Sequence, residues 1–243
     1  SGAAIGLGTV WAAPYTIGKN GGGGCLIMYI ILTLLIGLPI LHLEISLGSH
    51  TRKNIIDGIQ CIRQEFAISK HWDNIGFISA GLLFCILSFY VMVGGKVLYH
   101  TYMNFCDLLV GAATPSKSEW IEYISALIFS TLTFGLCVSS IRSGVEKCVA
   151  LMMPALFLSL IVMSLMSTSL PGFVKATDFL FKINTENFSL NTMLSAMGLS
   201  FFTLATGSGC MMNYGAYLKA SKKSIFPINL VSTIMVIIGV CLS

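Results

Sequence analysis

Charge is what this sequence has least of. Only 10% of its 243 residues are Asp, Glu, Lys or Arg, while 55% are hydrophobic, and the mean hydropathy is +0.85. So few charges cannot cover a soluble domain, and the composition points to an integral membrane protein. No basic patch with interleaved aromatic residues occurs, which argues against a nucleic-acid partner. The eight cysteines are never spaced C-x-x-C and lie mostly inside apolar runs. They read as small buried side chains rather than as a disulfide framework. No basic stretch precedes the first apolar run, so no cleavable leader is expected. Ser1 already lies inside that run, and the chain is expected to be cut at both ends.

What is present is a series of apolar runs. A helix needs about 20 residues to cross the hydrocarbon of a bilayer, and runs of that order occupy 1–24, 23–47, 75–99, 120–138, 148–170, 192–218 and 225–243. Seven membrane segments are therefore expected. The loops after the second, fourth and sixth hold Arg52, Lys53, Arg63, Lys70, Arg142, Lys147, Lys219, Lys222 and Lys223, whereas the opposite loops hold Lys19, Lys117, Lys175 and Lys182. Lys and Arg are retained on the cytoplasmic side, which places the first group there. The same bias accounts for the net charge of +4.

The first segment is apolar yet poor in helix formers. Gly2, Gly6 and Gly8 each weaken a helix by roughly 1 kcal/mol relative to Ala, and Pro14 removes a backbone donor. Two readings stay open: a helix broken beside a polar cavity, or small residues that let two helices approach closely. In the second segment Glu44 either pairs with polar backbone inside the bundle or reaches the interface. His42, two residues away, lies on another face and forms no metal site with it. Residues 52–66 have the spacing of an amphipathic helix, lying on the cytoplasmic surface or packed beneath the bundle. In the third segment Tyr90 needs a hydrogen-bond partner, and Lys96 either snorkels or points into an outer vestibule. The sixth segment decides between the readings of the first. Thr203, Ala205, Thr206, Gly207, Ser208 and Gly209 interrupt it near its centre. A second broken helix, five segments on and entering from the opposite face, is the arrangement of inverted repeats around a midplane site.

GLGTVWAAPYTIGKNGGGG with IGLPILHLE, SFY, GVEK with MMP, and FFTLATGSGCMMNYGAYL together resemble the first to sixth helices of the neurotransmitter:sodium symporters, especially their bacterial amino-acid transporters. The likeness runs through nearly the whole chain and weakens after Lys219. It implies an all-α, polytopic membrane helix bundle with discontinuous first and sixth helices. Residues 1–243 would be a single transmembrane domain fragment, with the first inverted five-helix repeat in 1–170 and the start of the second in 192–243.

The resemblance also implies a function: a sodium-coupled symporter importing an amino acid or related small solute by alternating access, not an enzyme, multi-pass in the cell membrane and, from its bacterial relatives, in the inner membrane. Residue by residue, the amides of Leu7 and Gly8 and the hydroxyl of Tyr90 match groups that hold the substrate carboxylate. The carbonyls of Ala4, Phe202, Thr203 and Ala205 match those that receive the ammonium, and Ser208 matches a pocket wall. One sodium ion would take Ala4, Thr9 and Thr203, with Ser232 as a further ligand, and a second the carbonyls of Gly2 and Ile5. Thr9 stands where the family usually has asparagine, Ala12 replaces the outer-gate arginine, Leu199 its glutamine partner, and Lys96 a tryptophan. Two other classes stay in view: a degenerate solute-binding protein that does not transport, and an intramembrane serine protease built on Ser208 with His42 or His100.

Overall fold

The computed structural model describes residues 6, 8–110, 119–138, 146–181, 189–218 and 222–243, and every regular element among them is helical. The chain divides into two compact units, 1–79 with 151–243, and 80–150.

The first unit opens on a π-helical turn, Gly8–Ala12, that runs into α1 (Ala13–Lys19). Pro14 falls in the first turn of α1, directly after the π-helical turn, and the missing proline N–H goes with the departure from a regular α-helix there. After Asn20 the chain reverses through Gly21 and Gly22 at φ 91° and 61°. A Cβ on Gly22 would fall on the ring and carbonyl of Phe179 in α8 (Phe173–Phe181), so only glycine fits. Then come α2 (Gly23–Leu32), a π-helical stretch at Thr33–Gly37, and α3 (Leu38–Thr51). The wider π turn lies just before Pro39, whose ring would otherwise press on the carbonyl four residues back.

α4 (Ile55–Glu65) is capped by Asn54, whose Oδ1 accepts from the Asp57 amide at 2.8 Å. Its Ile55 and Gly58 are buried, and a Cβ on Gly58 would meet Met212 and Thr51. The amphipathic helix therefore packs beneath the bundle. α9 (Leu190–Leu204), capped by Ser189, and α10 (Cys210–Tyr217) are the two halves of the sixth segment; α11 (Lys222–Leu242) follows. The tightest crossing joins α3 and α10. A Cβ on Gly48 would fall on the Met212 carbonyl, and one on Gly215 on the Ile45 carbonyl. One core cluster joins Ala13, Ile17, Tyr29, Ala196, Leu199 and Val240, and a second joins Leu41, Leu204, Met211 and Val236.

α5 (Asp73–Val110) begins in the first unit and continues into the second, which also holds α6 (Glu119–Val138) and the first residues of α7 (Glu146–Ser167). In the second unit Gly94 and Gly95 let α5 lie against Phe129 and Ala126 of α6. The Nζ of Lys96 is 3.4 Å from Oε1 of Glu122, in the first turn of α6.

Among the described residues five helices are long and apolar enough to span a membrane: Gly23–Thr51, Lys70–Leu108, Trp120–Val138, Lys147–Ser167 and Ile225–Leu242. The sixth of the seven expected segments is divided into α9 and α10, of 15 and 8 residues, and most of the first seven residues of the first segment lie outside the described residues. Lys117, Arg142, Lys182 and Lys219, used to orient the chain, lie outside the described residues.

Candidate solute and ion site

The centre of the first unit is the gap between α9 and α10. α9 ends as Ala205 turns left-handed at φ 52°, and Gly207 and Gly209 follow at φ 85° and 76°. The turn leaves the first amides of α10 without carbonyl partners, and Glu44 on α3 meets them. Its Oε1 accepts from the amides of Gly207 (2.7 Å) and Gly209 (3.3 Å), and its Oε2 from Met211 (3.2 Å). A carboxylate facing a helix N-terminus is the favourable sense of charge against dipole, and bonds to a charged acceptor contribute about 1.5–3 kcal/mol each. Glu44 therefore faces the bundle interior. The protein thus supplies its own anion to α10, while at the end of α9 the carbonyls of Phe202 and Phe201 accept the amides of Ala205 and Thr206 at 3.3 and 3.1 Å.

Beside that end lies a buried chain of hydroxyls. Thr33, in the π-helical stretch, donates to Ser200 Oγ at 3.0 Å. Thr203 Oγ1 donates to the Ser200 carbonyl at 3.2 Å and lies 3.0 Å from the Tyr29 hydroxyl. Either hydroxyl can be the donor in the second bond, and the four side chains form one linked set. All four side chains are at most 1% exposed. Tyr29 and Thr33 were legible as two polar residues four apart on one helix face, a signal that the sequence reading passed over.

The other expected residues fall as follows. Gly2, Ala4, Ile5 and Leu7 lie outside the described residues. Gly8 opens the first π-helical turn. Thr9 is fully buried, and its methyl would lie 3.1 Å from a Cβ placed on Gly239 of α11. That turn packs against both α9 and α11, so Thr9 and Thr203 belong to one cluster of elements. Phe202 and Ser208 are half-buried. Ser232 is also half-buried, while its neighbour Thr233 is fully buried with no hydrogen-bond partner for its hydroxyl; Thr206 in the gap is orphaned in the same way. Tyr90 lies in the second unit, its ring edge-on to Phe89 at 5.9 Å. The sequence reading also missed Asn229, 1% exposed on α11, whose amide lies 3.3 Å from His42 Nδ1. His42 is thus engaged with α11.

The sixth segment is thus a discontinuous helix whose second half is clamped by a carboxylate, next to a set of buried hydroxyls. The profile of the sodium:neurotransmitter symporter family matches residues 1–122, half of the sequence. The chain belongs to this family. Its members are transporters, which sets the protease reading aside. The sodium-dependent transporter YhdH of Bacillus subtilis (strain 168) is 30% identical over 250 residues, covering 97% of this chain and 54% of its own length. The rat sodium-dependent neutral amino acid transporter B(0)AT2 is 32% identical over 147 residues, or 57% of this chain and 19% of its own. Among solved structures, that of MhsT in complex with L-phenylalanine superposes with a TM-score of 0.81 at 26% identity, over 98% of this chain and 57% of MhsT. The chain thus spans about half the length of the bacterial relative and of the structure it matches.

Proposed function

We propose that this chain serves in a sodium-coupled symporter that carries an amino acid across a bacterial inner membrane by alternating access. The observation that carries the reading is the broken sixth segment, with α10 closed by Glu44 and α9 ending beside the buried hydroxyl of Thr203. Sodium takes hard oxygen donors that bear no full charge. Thr9, Thr203 and the Ala4 carbonyl suit one ion, with Ser232 as a further donor from α11; the carbonyls of Gly2 and Ile5 suit a second. The solute carboxylate goes to the amides of Leu7 and Gly8 and to the Tyr90 hydroxyl, and its ammonium to the carbonyls of Ala4, Phe202, Thr203 and Ala205. Residues 1–170 and 192–243 would then belong to two inverted repeats.

Ser208 and Ala205 are small, which leaves volume at one wall of such a pocket. An unfilled apolar space loses dispersion contacts, so a large or aromatic amino acid is favoured over glycine or alanine. A related protein with L-phenylalanine bound supports this order. Competition for uptake by the complete polypeptide in liposomes under a sodium gradient tests it. Phenylalanine should compete better than glycine, and Ser208→Phe should reverse the order by filling that wall. Uptake indifferent to sodium would defeat the symport reading. A glycine preference left unchanged by Ser208→Phe would remove Ser208 from the pocket.

A further inference from the structure

The turn between α4 and α5 is uncovered and lies where the chain enters the membrane. Residues 64–72 are exposed without interruption. Within them Phe66, Ile68 and Trp72 are 65%, 40% and 52% exposed. The turn is built, not slack: Ala67 takes a left-handed φ of 51°, and the Ile68 amide closes back on the Arg63 carbonyl at 3.0 Å. Lys70–Trp72 begins the membrane-spanning stretch Lys70–Leu108, which puts Trp72 at the depth where tryptophan collects, between headgroup and acyl chain.

The charges on this turn are sorted. Its two carboxylates are paired within the protein, Glu65 with His50 at 2.9 Å and Asp73 with Arg63 at 2.8 Å. Among the described residues no carboxylate pairs with Lys70. A lone ammonium beside three bare apolar side chains is complementary to one neighbour already at hand, a phospholipid with an anionic headgroup. We propose that residues 66–72 form a binding surface for an anionic phospholipid, with the Lys70 ammonium on the phosphate and Phe66, Ile68 and Trp72 against the glycerol and upper acyl chain. A zwitterionic lipid offers the same chains but no net charge, and a cationic residue near an anionic surface is worth about 1 kcal/mol, or roughly a fivefold preference.

The test uses the complete polypeptide in nanodiscs of equal parts phosphatidylcholine and phosphatidylglycerol, with brominated acyl chains on one lipid or the other. The Trp72 signal is the wild-type fluorescence minus that of Trp72→Phe. Brominated phosphatidylglycerol should quench it more than brominated phosphatidylcholine, with local enrichment of about fivefold, and Lys70→Gln should make the two lipids equivalent. Lys53→Gln, a substitution of another exposed lysine, should leave the preference intact. Equal quenching in the wild type, a preference that survives Lys70→Gln, or equal loss with Lys53→Gln would each overturn the assignment. Should Lys70→Gln fold poorly, Lys70→Arg provides the second measurement, because it keeps the charge and must keep the preference.

Discussion

The two units are built from the same apolar residues but close their helices by different means. In the first, helices meet across buried polar groups: a carboxylate on three amides, four linked hydroxyls, and an asparagine against a histidine. In the second, α5 and α6 meet through Gly94 and Gly95, and the ion pair between them is at the edge, with side chains 58% and 36% exposed. Lipid-facing helices gain nothing from mutual hydrophobicity, so small residues and close packing suffice to pair them. Buried polarity adds a requirement, since each group must find its partner. It is concentrated in the unit that holds the break between α9 and α10.

The comparison is broken most severely at Glu44. Glu44→Ala leaves the amides of Gly207, Gly209 and Met211 without an acceptor. At about 1–3 kcal/mol for each unsatisfied group, the loss approaches the whole stability of an ordinary domain. No folded protein should be recovered from detergent. Glu44→Gln keeps one acceptor oxygen and should fold with a lower melting temperature. A Glu44→Ala protein that melts like the wild type would show that water or another side chain meets those amides.

The glycine crossings come next. Gly48→Ala drives a Cβ onto the backbone carbonyl of Met212, which cannot swing aside, whereas Gly94→Ala meets only the ring of Phe129, which can turn. Overpacking against backbone should cost about 2–3 kcal/mol and against a movable ring less than about 1 kcal/mol. Thermal unfolding of the two variants side by side measures the difference. Equal losses would erase the distinction between rigid and yielding contacts.

Much of this was legible in the sequence because the bilayer is an exacting solvent. Apolar runs of spanning length, the break at 203–209 and the anomaly of Glu44 all follow from what hydrocarbon forbids. Pairing was not legible. That Glu44 meets α10, that α4 lies beneath the bundle and that Lys96 turns to Glu122 depend on which helices become neighbours, and periodicity says which face is apolar but not what covers it. Sparse polar residues inside apolar runs, such as Tyr29, Thr33, Ser200 and Asn229, carried more information than their number suggested, since each had to find a partner.

Strain separates the units more gently. The described non-glycine residues with positive φ are Arg52, Ala67 and Ala205, all in the first unit. Ala205 is the one at the break, where its left-handed turn ends α9. An alanine there costs about 1 kcal/mol that glycine does not. Ala205→Gly should therefore raise stability by about 0.5–1 kcal/mol, less whatever glycine adds to the freedom of the unfolded chain. A lower melting temperature would mean that the alanine methyl is needed for packing in the gap.

The smallest effect is expected at the edge of the second unit. Lys96 and Glu122 approach to 3.4 Å, but the lysine is more than half exposed and the glutamate about a third, and Glu122 lies in the first turn of α6, at the margin of the span Trp120–Val138. Water and salt reach such a pair. An exposed ion pair recovers little beyond the entropy of holding two long side chains together, with a typical value of about 0–1 kcal/mol. Glu122→Gln should therefore change stability by less than about 0.5 kcal/mol, and the difference should shrink further as ionic strength rises from about 0.1 to 1 M, where the screening length falls from about 10 to 3 Å. Melting curves of wild type and Glu122→Gln at both salt concentrations are the measurement. A loss as large as that of Gly48→Ala, insensitive to salt, would place the pair in hydrocarbon and make it a buried polar link of the kind that distinguishes the first unit.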